Sequence, residues 1–361
     1  MSARPSPFHV RTAEHNVGNA WVRRGAFTLA ARYGDAHQEA LAARAAVVLI
    51  DASFMTRLRV HGPGAARLLS AACAFDAEAL PAGSSRQVFW RTDGGGVRGI
   101  GVAGRFAPAN FVLRGMESDG AWFDAAAKRF ETTIRDETTE KGLLFLFGPM
   151  ATELLAAAGL REAARLEPSQ HAVVSWRGLN VTVSRWSTLA QSLGGYEISC
   201  ANEDAIAVFD RLWRVGRDFG LAPAGQEALD TLLLEQGVLV PHADFEPARE
   251  SKAREPAPSS LGLTDGGEGA RLLTGLEFDS EEPMAHAPVM QGGRVIGATL
   301  RSAYSPVLRR AIALAQLEPA YASVGTTATV RRLTSSGNVD AVARVSALPF
   351  VARQQKSKLE A

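Results

Sequence analysis

The strand-turn-helix signature Arg57-Leu-Arg-Val-His-Gly62-Pro63-Gly-Ala65-Ala-Arg-Leu68-Leu69 returns as Leu144-Phe-Leu-Phe-Gly148-Pro149-Met-Ala151-Thr-Glu-Leu154-Leu155, an offset of 148 − 62 = 86 residues. Two further echoes keep that register. Ala121-Trp-Phe123-Asp124 is answered by Ala207-Val-Phe209-Asp210, and Asn110-Phe-Val-Leu by Tyr196-Glu-Ile-Ser. The chain therefore contains one folding unit twice, over roughly 52 to 139 and 140 to 216. In each copy an apolar strand runs into Gly-Pro. Glycine permits a sharp turn there, and proline, with fixed φ and no N–H, suits the first helical position. The Ala and Leu-Leu spacing that follows gives a helix with an apolar stripe.

A hairpin comes next, Gln87 to Arg91 and Val97 to Val102 around Gly94-Gly95-Gly96 in the first copy. In the second it is His171 to Trp176 and Leu179 to Ser184 around Arg177-Gly178. A strand, an amphipathic helix and a further strand close the unit. This is an α+β fold with two ferredoxin-like repeat units. Two such layers side by side leave a cleft, where small ligands usually bind.

At 361 residues the chain is too long for one core. Before the repeat, an Ala-rich helical stretch from Asp35 ends in the strand Val47 to Asp51. After it, Pro223-Ala-Gly225 leads into a helix over Glu227 to Glu235 whose closing Gly237 fits a C-cap. The Leu232-Leu-Leu234 run in that helix is expected to be buried between domains. Residues 246–270 read as a linker, rich in Pro, Gly, Ser and charge. From 271 to 361 short β-rich runs alternate with turns, which points to a small β barrel or sandwich, jelly-roll-like in character.

A net charge of +1 gives no basic surface for nucleic acid. No apolar run reaches membrane-spanning length, and the start lacks the apolar core of a signal peptide. The expectation is a cytoplasmic protein that binds neither nucleic acid nor membrane. Cys73 and Cys200 are the only cysteines, too few for a thiolate metal cluster, and read as buried small apolar residues. His61, His171, His242 and His286 show no metal-ligand spacing, so no metal site is expected.

In this order of parts the chain resembles the family of the glycine-cleavage-system T-protein, the tetrahydrofolate-dependent aminomethyltransferases and demethylases. Asp51-Ala-Ser53 with His61-Gly62-Pro63 is similar to that family's Asp-x-Ser segment and Gly-Pro turn, and Gly195-Tyr196-Glu197-Ile198 to its Gly-Tyr-Glu-Ile strand. Asp230-Thr231-Leu232, Leu234-Glu235 and Gly237 follow its Asp-Thr-Leu helix. Arg301-Ser302-Ala-Tyr304-Ser305-Pro306 is similar to its Ser-Pro turn, and Leu348-Pro-Phe350 to its ending. The resemblance implies a three-lobed ring around a reduced folate. It comprises a discontinuous folate-binding domain of residues 1–51 plus 140–245, a second domain of 52–139, the linker, and the β-rich domain of 271–361.

It also implies a tetrahydrofolate-dependent transfer of a methyl or aminomethyl carbon from a small, anionic donor. The alternative from another class is a non-catalytic or repurposed folate-fold protein, an accessory subunit or assembly factor with a protein partner in an oxidase or one-carbon pathway. Glu197 takes the place of the family glutamate that binds the pterin N–H groups, beside Tyr196; the plainer reading is an exposed strand glutamate. In the preceding loop Trp186 and Gln191 are candidates for lining the pocket, against a packing role.

The chain also departs from the family. Arg98 stands where the family carries its acid, Arg114 where it often carries Asn, and Leu229 and Leu233 where it carries arginines. Since arginine cannot act as a base, Arg98 and Arg114 are candidates for an anion seat, with Arg98 placed at the catalytic position. The competing reading turns one or both to solvent. His242 and Asp244 are the remaining acid/base candidates.

Overall fold

A computed structural model describes residues 3–73, 75–92, 96–116, 118–185, 193–245, 247, 271–334 and 337–351. They form two compact units. The larger begins with β1 (Arg4–Pro5), α1 (His9–His15), β2 (Trp21–Arg24), β3 (Phe27–Ala30), α2 (Ala36–Ala45) and β4 (Val47–Asp51). The first three strands make a small sheet that the polar composition of the leader conceals. Asp35 caps α2 by accepting from the backbone N–H groups of His37 and Gln38, which holds its carboxyl below the usual range.

The first repeat copy is β5 (Thr56–His61), α3 (Ala65–Cys73), β6 (Ser84–Arg91), β7 (Val97–Ala107), β8 (Asn110–Gly115), α4 (Gly120–Ala127) and β9 (Thr133–Asp136). The second is β10 (Lys141–Phe147), α5 (Ala151–Ala157), α6 (Arg161–Ala164), β11 (His171–Trp176), β12 (Leu179–Arg185), β13 (Gly195–Ala201), α7 (Ala205–Gly216) and β14 (Leu221–Pro223), followed by α8 (Gln226–Glu235). The first sheet runs β6-β7-β8-β5-β9, the second β11-β12-β13-β10-β4-β14. Each ferredoxin-like unit thus carries three strands between its helices. In the second sheet the place of β9 is taken by β4, a strand that precedes both repeats.

The repeated Gly-Pro has a physical explanation here. Gly62 and Gly148 sit at φ +134° and +136°. A Cβ on Gly62 would lie 2.5 Å from the Glu131 carbonyl oxygen, just before β9, and one on Gly148 would lie 2.2 Å from that of Ala46, just before β4. Pro63 and Pro149 do not open the helices as expected. They occupy the second position of turns closed by Ala65 N–H to Gly62 C=O and Ala151 N–H to Gly148 C=O, where a fixed φ is equally suited.

Strand alternation sorts the side chains of both sheets. Leu58, Val60, Phe111, Leu113 and Trp90 pack under α3 and α4. Leu144, Leu146, Val181, Val183, Tyr196 and Ile198 pack under α5 and α7. Both cysteines are free and buried in these cores. The two copies meet through equivalent residues: Ser84 bridges antiparallel to Gln170 (170 − 84 = 86), and Ser85 Oγ lies 2.9 Å from His171 Nδ1 (171 − 85 = 86). Such self-pairing is what an approximate two-fold relation between copies produces.

The second unit is a closed barrel, β15 (Leu272–Phe278), β16 (Pro288–Gln291), β17 (Arg294–Ser305), β18 (Arg310–Leu317), β19 (Thr327–Thr334) and β20 (Gly337–Ser346), in the order β15-β18-β17-β16-β19-β20. The choice between barrel and sandwich is thereby resolved. Leu276, Phe278, Val289, Ile296, Val330 and Val345 fill it. Glu235 in this unit is fully buried and accepts from Ser305 Oγ at 2.7 Å. Leu232, Leu233 and Leu234 are buried as their apolar run requires.

Candidate active site

The faces of the repeat sheets turned away from the helices line a common cleft, whose empty space, counted with the solvent at its mouth, is about 390 Å³. Period-two alternation delivers its residues. Core residues Leu58 and Leu113 put Arg57, Arg59, Val112 and Arg114 on the cleft side of the first sheet, and Val183 and Ile198 put Thr182, Ser184, Glu197 and Ser199 there from the second.

Glu197 is 4% exposed. Its carboxylate is met across the cleft by Arg114, which also donates to Ser184 Oγ at 2.9 Å. Two positions that the sequence treats separately, a ligand carboxylate and an anion seat, are therefore one ion pair joining the two repeat copies. Glu197 is not an exposed strand glutamate. In the same cleft, Glu137 holds Arg59 at 2.5 Å and Lys141 at 2.8 Å. Burial alone would raise the Glu137 carboxyl, but these two cations keep it below the ordinary value. Phe106 also lines the cleft; its ring packs on that of His171 at 4.1 Å between centroids, with the Arg59 guanidinium 5.8 Å from its centre.

Tyr196 does not share this face. As the neighbour of Glu197 on one strand it points the other way, 1% exposed, with its hydroxyl 3.0 Å from Thr152 Oγ1. Arg98 does not converge with Arg114 either. The ladder between β6 and β7 shifts register between Trp90, opposite Gly99, and Arg91, opposite Val97. Arg98 is the extra residue there, and a bulge re-aims its side chain. Its guanidinium donates to Asp119 at 2.8 Å and lies 5.0 Å from the Trp122 ring, while Asp119 also accepts from Trp90 Nε1 at 2.6 Å. Arg98 is therefore neither turned to bulk solvent nor part of the described lining of the cleft.

His242 is exposed at φ +63°, and Asp244 is buried, accepting from the Val240 N–H at 2.7 Å within a tight turn. Trp186 and Gln191 lie outside the described residues. Arg57, which in the sequence is only one residue of the repeated strand signature, lines the cleft almost fully buried.

Among the described residues no group of three or more His, Cys, Asp or Glu could hold a metal ion, and no helix is long and apolar enough to cross a membrane.

The chain is 30% identical over 344 residues to the aminomethyltransferase of Symbiobacterium thermophilum, covering 86% of this chain and 88% of that protein. It is 29% identical over 355 residues to that of Streptomyces coelicolor, covering 90% and 91%. A trimethylamine-oxide aldolase of Ruegeria pomeroyi matches at 28% over 326 residues, 82% of this chain but 40% of that longer protein. Among solved structures, the glycine cleavage system aminomethyltransferase T from Bartonella henselae superposes with a TM-score of 0.84 at 22% identity, covering 98% of this chain and 99% of that one, a likeness of fold. Residues 9–252 match the GCVT N-terminal domain and residues 271–351 the glycine cleavage T-protein C-terminal barrel domain. With the first match alone spanning more than half of its length, the chain belongs to the glycine cleavage T-protein family.

Proposed function

We propose that the protein is a tetrahydrofolate-dependent one-carbon transferase, taking a methyl or aminomethyl carbon from a small anionic donor in the cleft between its two repeat sheets. The observation that carries this reading is the buried Glu197 carboxylate on the cleft wall, paired with a cation from the opposite copy. The donor set suits a reduced pterin. A buried carboxylate accepts N–H groups of a flat heterocycle, and the hydroxyls of Thr182, Ser184 and Ser199 and the ring of Phe106 line the same cleft.

When bound, the folate supplies the nitrogen that accepts the one-carbon unit. Glu197 would hold the pterin's amino and ring N–H groups, which requires Arg114 to release it. Arg114 then carries an unmatched charge in a poorly solvated cleft and attracts an anionic donor. Pterin and donor would in this way favour each other's binding through a single exchanged ion pair, and the cleft would supply proximity. Tyr196 fixes the strand from the core side, and Arg98, His242 and Asp244 have no part in the proposed contacts.

A second reading, a folate-fold protein repurposed for a non-catalytic role with a protein partner, is favoured by the same pair in its closed state, since Glu197 already has its counter-charge. The test is turnover: purified protein with tetrahydrofolate and a panel of N-methyl and S-methyl carboxylic acids, following the donor methyl carbon by NMR. Transfer to folate from at least one acid is expected. Folate binding with no transfer from any of them would favour the repurposed reading.

A further inference from the structure

Four cationic side chains line the cleft, Arg57, Arg59, Arg114 and Lys141, against two carboxylates, Glu137 and Glu197. The surplus is 4 − 2 = 2 positive charges at neutral pH. The pairing is uneven. Glu137 serves Arg59 and Lys141, and Glu197 serves Arg114. Arg57 alone of the four has no carboxylate partner among the described residues, although it is the most deeply buried, at 2% exposure. Its Nη2 donates to the backbone carbonyls of Thr138 and Lys141, each at 2.6 Å, and to Ser53 at 3.3 Å. Its Nε and Nη1 have no partner, so three of the five N–H donors of a guanidinium are unused.

A buried guanidinium with no carboxylate in direct contact is costly and is retained where something compensates it. Burial lowers the Arg57 guanidinium to about 10, against the raising influence of Glu197, Asp51, Asp136 and Glu137, so it remains charged at pH 7. Three backbone carbonyls fix its Nη2 and thus the orientation of the planar fork. With Nη2 engaged, Nη1 offers a carboxylate charge-assisted N–H donors at a fixed place, which a flexible ammonium does not. The depth of Arg57 favours a small ligand over a long dicarboxylate tail, whose charges would lose their hydration there.

We infer that Arg57 is the seat for the carboxylate of the one-carbon donor, a small amino-acid-like acid that the charge of Arg114 draws into the same cleft. This deepens the proposed transferase reading and rests on it for the ligand's role, but carboxylate binding is measured without folate, so either can fail alone.

The experiment is calorimetric titration of the full chain with N,N-dimethylglycine, its neutral amide, inorganic phosphate and p-aminobenzoylglutamate. Saturable binding of the acid is expected, with the amide at least tenfold weaker. Arg57→Gln should weaken the acid at least tenfold while leaving the amide unchanged. Arg57→Lys, which keeps the charge and a donor for the carbonyls, should weaken it severalfold, and decides the matter should Arg57→Gln not fold. Failure of the acid to bind, equal binding of acid and amide, or wild-type affinity in Arg57→Lys would overturn the inference. So would phosphate or p-aminobenzoylglutamate binding more tightly than the acid in an Arg57-dependent way, the latter identifying a folate tail as the source.

Discussion

The Arg114–Glu197 pair joins two strands from different repeat copies at a place where each side chain is nearly removed from solvent. Breaking a buried pair from one side leaves the other charge uncompensated, so Glu197→Ala or Arg114→Ala should each lower stability by about 3 kcal/mol. The double replacement Arg114→Met/Glu197→Leu should cost much less, and urea unfolding of the four proteins measures the difference. Additive losses would show that the pair contributes little. His171 sits close by, pushed down to about 4 by burial and then by the charge of Arg114. In the unfolded chain it takes up a proton near its ordinary value of 6.5. Between those values the unfolded state binds more protons, so this group's share of stability is complete above about pH 6.5 and falls as the pH drops toward 4. His171→Asn, which keeps a partner for Ser85, should flatten the decline in melting temperature over that window; an unchanged slope would assign the decline to other groups.

At the scale of elements, the duplicated turn is the feature with the tightest steric demand. Gly62→Ala and Gly148→Ala each place a methyl against a backbone carbonyl at positive φ, and each should destabilise by about 2 kcal/mol or more. Comparable losses in the two variants are expected by denaturant unfolding, because β9 and β4 fill equivalent places. Tolerance of either substitution would contradict that equivalence. Much of this was legible in the chain itself: the offset of 86, both hairpins, Asp35 with its helix and the β-rich tail all announce themselves by periodicity. The substitution of β4 for the second copy's own closing strand was not, since a buried strand of the form Val-Val-Leu-Ile-Asp does not say which sheet it joins. Arg98 misled for a related reason. Alternation predicts which face a strand residue takes only while the register is regular, and the bulge beside Trp90 breaks it. Arg57 was visible all along in Arg57-Leu-Arg59, where apolar Leu58 turned to the core places two arginines on the other face. Its lack of a counter-charge depends on where Glu137 and Glu197 reach, which only the folded chain shows.

At the scale of the molecule, a nearly neutral chain concentrates four cations and two carboxylates along one cleft between duplicated sheets. The closed barrel is a separate compact unit with its own core. Membership of the T-protein family is consistent with this architecture. In this chain Arg114 meets Glu197 across the cleft, while Arg98 pairs with Asp119 and Leu229 and Leu233 are buried. The central claim is that the Glu197 carboxylate can exchange Arg114 for a pterin. The most direct measurement is equilibrium titration of wild type, Glu197→Gln and Arg114→Gln with tetrahydrofolate under reducing conditions, followed by intrinsic tryptophan fluorescence. The account predicts saturable binding by wild type, at least tenfold weaker binding by Glu197→Gln, and binding by Arg114→Gln that is equal or tighter because no cation competes for the carboxylate. Absence of binding by wild type at near-millimolar folate, or binding indifferent to Glu197→Gln, would contradict it.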